Sequence, residues 1–111
     1  MVNYNNALIY CITLNNSEQY LYIGSTTDFK SRLYVHRHRT NNKKSEYYDD
    51  LLYEKIRDYG NWDNWTMHIL EEYPTSTKGE LQKRERFLIE SMNANLNSSL
   101  PSTKKHKYKE L

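Results

Sequence analysis

The sequence predicts a small α/β protein in which three helices flank a three-stranded, mainly antiparallel sheet, in the order β-β-α-α-β-α. Three observations support this prediction: two period-two segments joined by a turn, three later segments with apolar residues at helical spacing, and one more alternating segment before the last of these. With 111 residues, the chain has room for one domain with a modest core.

The first two strands are expected to form a hairpin. Residues 7–14 follow the period-two pattern of a strand, residues 15–17 supply a turn, and residues 19–23 return as the partner strand. Gly24 closes the second strand. Because glycine lacks a Cβ atom, we expect a ligand or another backbone to approach the sheet closely at this point.

The later segments predict three helices and the third strand. Capping residues 25–28 precede a helix over residues 29–38, and apolar residues at helical spacing predict a second helix over residues 48–59. Residues 65–70 alternate as the third strand. A capping box that begins at Thr77 opens the third helix.

Two tyrosines are the most informative residues of the hairpin. Tyr10 and Tyr22 lie on neighbouring strands, so we expect their phenols side by side. Ordinary cross-strand packing would also explain the pair, because tyrosine is a good strand former. Arg32 and His36 follow on the first helix, four residues apart and therefore on one helical face. Both are expected to point toward the tyrosines.

A carboxylate occupies an apolar position of the third helix. Three residues at helical spacing form the apolar stripe: Leu81, Leu88 and Met92. Glu85 lies on the same stripe, where burial is costly unless the carboxylate is paired, protonated or bound to a metal. A structural ion pair with the adjacent Arg84 or Arg86 is the alternative to a metal site.

These residues together resemble the motifs of the GIY-YIG nuclease family. Leu8-Ile9-Tyr10 is similar to its first motif and Tyr22-Ile23-Gly24 to its second. Arg32 follows Tyr22 by ten residues and His36 lies one turn later, as in the homing endonuclease branch of the family. Each short motif is weak alone, whereas the ordered set is specific.

The resemblance extends over residues 7–100. Residues 84–89 are similar to the glutamate helix of the family, and Asn97 matches a late asparagine that is implied to orient backbone or phosphate near the glutamate. Two positions depart from the pattern. Leu8 replaces the leading glycine of the first motif, and Tyr47 stands where some homing members have a second histidine.

The resemblance implies a metal-dependent DNA endonuclease that hydrolyses phosphodiester bonds. The implied catalytic set is Tyr10, Tyr22, Arg32, His36, Glu85 and Asn97. Glu85 would hold Mg²⁺ or Mn²⁺, and Arg32 would bind the scissile phosphate. Tyr10 would take or relay the proton of the attacking water, with a pKa lowered by neighbouring cations. Tyr22 would orient water or phosphate, and His36 would assist the proton transfer.

A basic run along the first helix and the following loop suits a DNA backbone, although such a run is usually a solvated face. The net charge of the chain is only +2, so this run is a local asymmetry. The residues expected to contact nucleic acid are Gly24, Lys30, Arg37, Arg39, Lys43, Lys44 and Tyr47.

Cysteine usage and hydropathy exclude several classes of protein and of binding site. A single cysteine, Cys11, excludes an internal disulfide, and no zinc-like spacing of Cys and His occurs. The chain has no apolar stretch of membrane-spanning length and no signal-peptide pattern, so we expect an intracellular, soluble protein without a membrane partner. The abundance of Asn, Lys and Tyr, which have A/T-rich codons, suggests a viral or phage genome.

The nuclease domain is expected over residues 1–100, with residues 101–111 as a basic tail or the start of a linker. We expect the domain to be a monomer that takes its target specificity from an attached module. Two other classes stay open: a catalytically silent nucleic-acid-binding module of the same fold, and a protein-interaction domain built on the same sheet. The complete catalytic set disfavours the first, and the basic, aromatic first-helix region disfavours the second.

Overall fold

A computed structural model of the chain describes residues 2–97. Within these residues, three strands and three α-helices follow one another in the order expected from the sequence. Their bounds are β1 Leu8–Leu14, β2 Leu21–Thr26, α1 Phe29–Asn41, α2 Leu51–Asp58, β3 Trp65–Glu72 and α3 Lys78–Ser91. Short 3₁₀ turns lie at Tyr4–Asn6 and Asn61–Asn64. The predicted fold class is therefore confirmed.

β1 is the central strand of the sheet and pairs antiparallel with β2 on one side and with β3 on the other. β2 continues through Gly24 to Thr26, so this glycine lies inside the strand, whereas the sequence predicted the strand end there. Beside Tyr10, the pairing of β1 with β3 shifts by one residue, which marks a bulge in β3.

The sheet divides the core into two layers, and helices cover both of its faces. The layer on the α1 and α2 side includes Leu8, Tyr10, Ile12, Leu52, Tyr53, Ile56, Trp65 and Met67. The layer on the α3 side consists of Ala7, Ile9, Cys11, Ile23, Leu81, Ile89 and Ala94. Because neighbouring residues of a strand face opposite ways, β1 contributes alternate side chains to each layer.

α2 begins at Leu51, later than the apolar spacing predicted. Tyr48 precedes the helix, and its ring lies 3.6 Å below the guanidinium of Arg57. The same guanidinium donates hydrogen bonds to the carbonyl oxygens of Tyr48 and Thr40, at 2.9 and 2.7 Å. Arg57 therefore fixes Tyr48 as part of the loop between α1 and α2.

α3 begins as the capping box predicts, and its buried stripe differs at the last position. The hydroxyl of Thr77 accepts a hydrogen bond from the backbone N–H of Glu80 at 3.2 Å. Met92 follows the last helical residue and is 41% exposed, so its predicted place on the stripe is wrong. Leu81 and Leu88 pack in the α3-side core as predicted, and Ile89 is buried there in place of Met92.

None of the helices within residues 2–97 is both long enough and apolar enough to span a bilayer. The tail expected at residues 101–111 lies outside the described part of the chain, as do residues 98–100. The domain limit at residue 100 therefore stays a prediction.

Candidate active site

Tyr10 and Tyr22 lie on the same face of the hairpin, with ring centroids 6.3 Å apart. The register explains this proximity. Tyr10 is opposite Gly24, and Tyr22 is opposite Ile12, so the two tyrosines are diagonal neighbours. The rings are thus close together, as the sequence predicted.

Gly24 makes room for the ring of Tyr10. A Cβ atom built on Gly24 would meet the Cζ and Cε2 atoms of that ring at 2.5 and 3.0 Å, well inside van der Waals contact. The space above the glycine, which we expected an external ligand or backbone to use, is therefore occupied by Tyr10. Gly24 is buried and also borders the cavity described below.

His36 links two tyrosines inside the core. Its Nε2 atom lies 2.7 Å from the hydroxyl of Tyr10, and its Nδ1 atom lies 2.7 Å from the hydroxyl of Tyr53. Burial, together with the nearby cations Arg32 and Arg39, lowers the pKa of His36 to about 3. The imidazole is therefore neutral at physiological pH.

Tyr53 is a site residue that the sequence analysis missed. It lies on α2 beside the residues of the predicted apolar stripe, and only 2% of its surface is exposed. The spacing of Leu52, Tyr53 and Ile56 at i, i+1 and i+4 is the pattern of a wider buried face, and it could have identified Tyr53 as an inward-pointing phenol.

The expected lowering of the Tyr10 pKa is wrong. Burial raises the pKa of Tyr10 well above its usual value, and the neighbouring Tyr22 raises it further, whereas Arg32 offsets only part of this. The pKa of Tyr22 is also raised, first by burial and then by Glu85. Both phenols are accordingly protonated and neutral in the free protein, because one nearby cation does not compensate for the loss of water.

Glu85 projects from α3 to the end of β2. The hydroxyl of Ser25 donates a hydrogen bond to its Oε1 atom. Burial raises the pKa of Glu85, and the bond from Ser25 and the charge of Arg32 oppose that rise. The carboxylate is half-buried and borders open space.

The arginines adjacent to Glu85 pair with other carboxylates. Arg84 donates two hydrogen bonds to Glu71, at 2.7 and 2.6 Å, and Arg86 lies 3.7 Å from Glu90. Arg84 and Arg86 therefore do not form the ion pair with Glu85 that was the alternative to a metal site. Glu85 keeps its carboxylate directed toward Ser25.

A cavity of about 420 Å³ lies along β2, which is an edge strand of the sheet. Side chains from both faces of the sheet line it. Tyr10, Tyr22 and Arg32 reach it from the α1 side, and Leu81, Gln82 and Glu85 reach it from α3. The remaining lining residues are Val2, Tyr4, Gly24, Ser25, Thr26, Thr27 and Lys78.

Asn97 and Asn95 hold the outer edge of β2. Asn97 accepts a hydrogen bond from the N–H of Ile23 at 3.0 Å and donates to the carbonyl oxygen of the same residue at 2.7 Å. Asn95, which the sequence analysis missed, accepts from the N–H of Leu21 at 2.9 Å and donates to the carbonyl oxygen of Gln19 at 2.8 Å. Asn97 thereby orients backbone next to Tyr22.

The model of the GIY-YIG catalytic domain family matches residues 6–97 of the chain. This chain belongs to the GIY-YIG family. The fold is also similar to the solved catalytic domain of homing endonuclease I-TevI, with a TM-score of 0.62 and 25% sequence identity. The similarity covers 88% of this chain and 99% of that domain. A comparison with curated proteins gave no match.

In this GIY-YIG domain, the basic residues of α1 lie on two flanks of the helix. The guanidinium of Arg39 lies 3.8 Å above the ring of Tyr47, whereas that of Arg37 lies 5.8 Å from the ring of Trp62. Lys30 and Arg37 border one surface depression together. Lys43 and Lys44 are exposed on the loop after α1. The basic run that looks continuous in the sequence therefore faces two directions. Among the basic residues of α1, Arg32 is the one that borders the cavity.

The oxygen donors of this GIY-YIG site fit a hard divalent cation. Glu85 offers one carboxylate at the cavity wall, with the hydroxyl of Ser25 beside it. No cluster of three or more His, Cys, Asp or Glu residues suited to a metal occurs within residues 2–97. A single carboxylate suits Mg²⁺ or Mn²⁺, which retain several water ligands, better than a metal that needs an all-protein cage.

Proposed function

We propose that this domain is a DNA endonuclease that hydrolyses phosphodiester bonds in the cavity along β2, with Mg²⁺ or Mn²⁺ bound at Glu85. One observation carries the proposal. Arg32 and Tyr22 from one face of the sheet meet Glu85 from the other face around a single open cavity. A bound divalent cation would neutralise charge on phosphate oxygens and lower the pKa of coordinated water.

Arg32 binds the scissile phosphate in this proposal. Its side chain is half-buried in the cavity wall. Its positive charge acts to lower the pKa values of Tyr10, Tyr22 and Glu85. A guanidinium presents a planar fork of donors that matches two phosphate oxygens, and it stays charged at any relevant pH. Arg32 can therefore stabilise the charge that develops as the water oxygen attacks phosphorus and loses its proton to solvent, while the P–O bond breaks and the leaving oxygen takes up a proton from solvent.

Tyr22 orients the attacking water in this proposal, and Tyr10 supports Tyr22. Tyr22 is half-buried at the cavity, whereas Tyr10 is completely buried with its hydroxyl against His36. The more accessible phenol is the better placed to contact water. Because the free phenols are neutral, their first role is to donate and accept hydrogen bonds in fixed directions.

α3 supplies further contacts for the DNA backbone. Lys78 and Gln82 line the cavity together with Glu85, and the three residues share one helical face at i, i+4 and i+7. Lys78 is exposed at the rim. We therefore add Lys78 and Gln82 to the residues that contact phosphate and sugar, next to Arg32 on the opposite wall.

Glu85→Gln tests the proposal, because it removes the charge that binds a cation and changes the volume little. We expect the wild-type domain to nick supercoiled plasmid with Mg²⁺ or Mn²⁺ and to lose this activity in EDTA. Glu85→Gln should leave no detectable nicking and should retain DNA binding and thermal stability. Glu90→Gln, an exposed substitution on the same helix, is the matched control.

Two results would contradict the proposal. Near wild-type nicking by Glu85→Gln, or undiminished nicking in EDTA, would remove the metal role of Glu85. DNA binding by the wild-type domain without any cleavage would instead identify the catalytically silent binding module.

A further inference from the structure

Ser25 lies on the face of β2 that α3 covers. Because neighbouring residues of a strand face opposite ways, Ser25 shares a face with Ile23, which is buried in the α3-side core layer. Ser25 is opposite Ile9, another buried residue of that layer. The sequence grouped Ser25 with the capping residues before α1, but Asp28 supplies the side-chain cap of this helix. The hydroxyl of Ser25 serves a different contact.

That contact is with Glu85, which reaches the end of β2 from α3. Glu85 lies four residues after Leu81 and four residues before Ile89, and both of these are buried in the α3-side layer. The hydroxyl of Ser25 donates a hydrogen bond to Oε1 of Glu85. This is the one hydrogen bond that residues 2–97 make to the carboxylate, so Oε2 accepts none from them.

Packing of α3 fixes the position of Glu85 but not the plane of its carboxylate. The last torsion of a glutamate side chain has a broad, roughly two-fold distribution, so helix packing alone lets the carboxylate turn. A hydrogen bond to one oxygen restricts this rotation. Ser25 therefore makes the two oxygens different: Oε1 is used within the protein, and Oε2 is left for a ligand in the cavity that both residues line.

One free carboxylate oxygen suits the cation proposed for this site. Mg²⁺ prefers octahedral geometry and usually keeps several waters, with one or two carboxylates and substrate phosphates as its other ligands. A carboxylate that binds through a single oxygen takes one coordination position and leaves the others to water and phosphate. Arg32, which would bind that phosphate, lines the same cavity as Ser25 and Glu85.

We propose that Ser25 is a positioning residue: its hydroxyl holds Oε1 of Glu85 and so leaves Oε2 to bind the divalent cation. The inference rests on the proposed function, in which Glu85 holds that cation. Ser25 itself contacts neither the metal nor the DNA in this role. Loss of a group that hydrogen-bonds a ligating side chain typically lowers metal affinity or activity by about 10- to 100-fold.

Mn²⁺ binding tests this inference without DNA. The ion is paramagnetic, so it broadens the NMR signals of backbone amides near the place where it binds. We expect broadening around Glu85 in the wild-type domain, which Glu85→Gln should lack. Ser25→Ala should need about tenfold more Mn²⁺, or higher, for the same broadening. Ser91→Ala, the same change at the exposed end of α3, is the control and should bind Mn²⁺ as the wild type does.

Two further variants separate the hydroxyl of Ser25 from the space that it fills. Ser25→Thr keeps the hydroxyl, and Ser25→Val has the same shape without it; both residues suit a strand. We expect Ser25→Thr to bind Mn²⁺ nearly as the wild type does and Ser25→Val to bind as weakly as Ser25→Ala. This pair also tests the inference if Ser25→Ala does not fold. In single-turnover cleavage, Ser25→Val should need more Mg²⁺ than Ser25→Thr for its half-maximal rate.

Wild-type Mn²⁺ affinity in both Ser25→Ala and Ser25→Val would overturn the inference. Equal weakening in Ser25→Thr and Ser25→Val would also overturn it, because packing rather than the hydroxyl would then matter. Nicking that is lost in EDTA and in Glu85→Gln would in either case leave the proposed function standing. If Mn²⁺ binding follows the expected order while the wild-type domain cleaves no DNA, the positioning role of Ser25 stands and the proposed function fails.

Discussion

Among single residues, His36 makes the stability of the fold depend on pH. Its pKa of about 3 in the folded protein lies below the usual 6.5. Between these values the unfolded chain binds a proton and the folded protein does not, so acid favours unfolding. Arg32 and Arg39 face the ring as cations, and Tyr10 and Tyr53 face it as neutral phenols, so none of them compensates for a charged imidazole.

We therefore expect the wild-type protein to lose about 2 kcal/mol of unfolding free energy between pH 7 and pH 5. The measurement is urea unfolding across this range. His36→Gln should be less stable at pH 7 and should show little change with pH. His68→Gln, at an exposed strand position, should keep the wild-type pH dependence. A wild-type stability that does not change between pH 7 and pH 5 would contradict the neutral state of His36.

Tyr10→Phe separates the hydroxyl of Tyr10 from its ring. The ring fills the space above Gly24 and stays in place, whereas the hydrogen bond to His36 is lost. We expect the single-turnover cleavage rate to fall by about tenfold to a hundredfold, as when a partner that orients a functional group is lost, and stability to fall by about 1–2 kcal/mol. Tyr20→Phe is the control, because the hydroxyl of Tyr20 bonds to that of Tyr59 at an exposed position. Equal rates in the two variants would reduce both phenols to packing residues.

At the scale of one element, the geometry of α1 places Arg32 and Arg37 on different sides of the helix. Arg32 and Arg37 are five residues apart, which corresponds to about 140° around the helix axis. Arg32 borders the cavity, and Arg37 lies near Trp62 on the other flank. Residues that are close in sequence are therefore expected to act on different parts of a bound DNA.

Arg32→Ala should lower the single-turnover rate by on the order of a hundredfold, because it removes a donor that stabilises the transition state. Arg37→Ala should leave the rate at saturating DNA unchanged, weaken binding modestly and reduce the salt dependence of binding by about one unit of slope. Rates and affinities measured at several salt concentrations distinguish the two effects. If both variants lose only affinity, Arg32 is one more backbone contact.

The sequence predicted the elements better than it predicted their contacts. Turns, capping residues and apolar periodicity are local, so they located every helix and strand. Tyr53 was missed because its partner His36 lies on another helix, and no local pattern encodes a hydrogen bond across the core. The pKa of Tyr10 was misjudged for a similar reason, since sequence showed the nearby cations and not the extent of burial.

At the scale of the whole molecule, the candidate site depends on the narrowness of the sheet. Because β2 is an edge strand, side chains from both covered faces can meet around it. The family motifs identified Tyr22 and Glu85 in the sequence, but only the folded chain shows how residues from opposite faces border one cavity. Ser25, Lys78 and Gln82 have no motif of their own and are found only through that cavity.

The paired asparagines along β2 also oppose the addition of a further strand at this edge of the sheet. An open strand edge is a template on which another chain can add a strand, the step that begins amyloid-like growth. Asn95 already binds the carbonyl oxygen of residue 19 and the N–H of residue 21, and Asn97 binds both main-chain groups of residue 23, so these groups are not free for such a strand. The cavity at the end of β2 thus stays open, while the part of that edge between residues 19 and 23 is unavailable to an added strand.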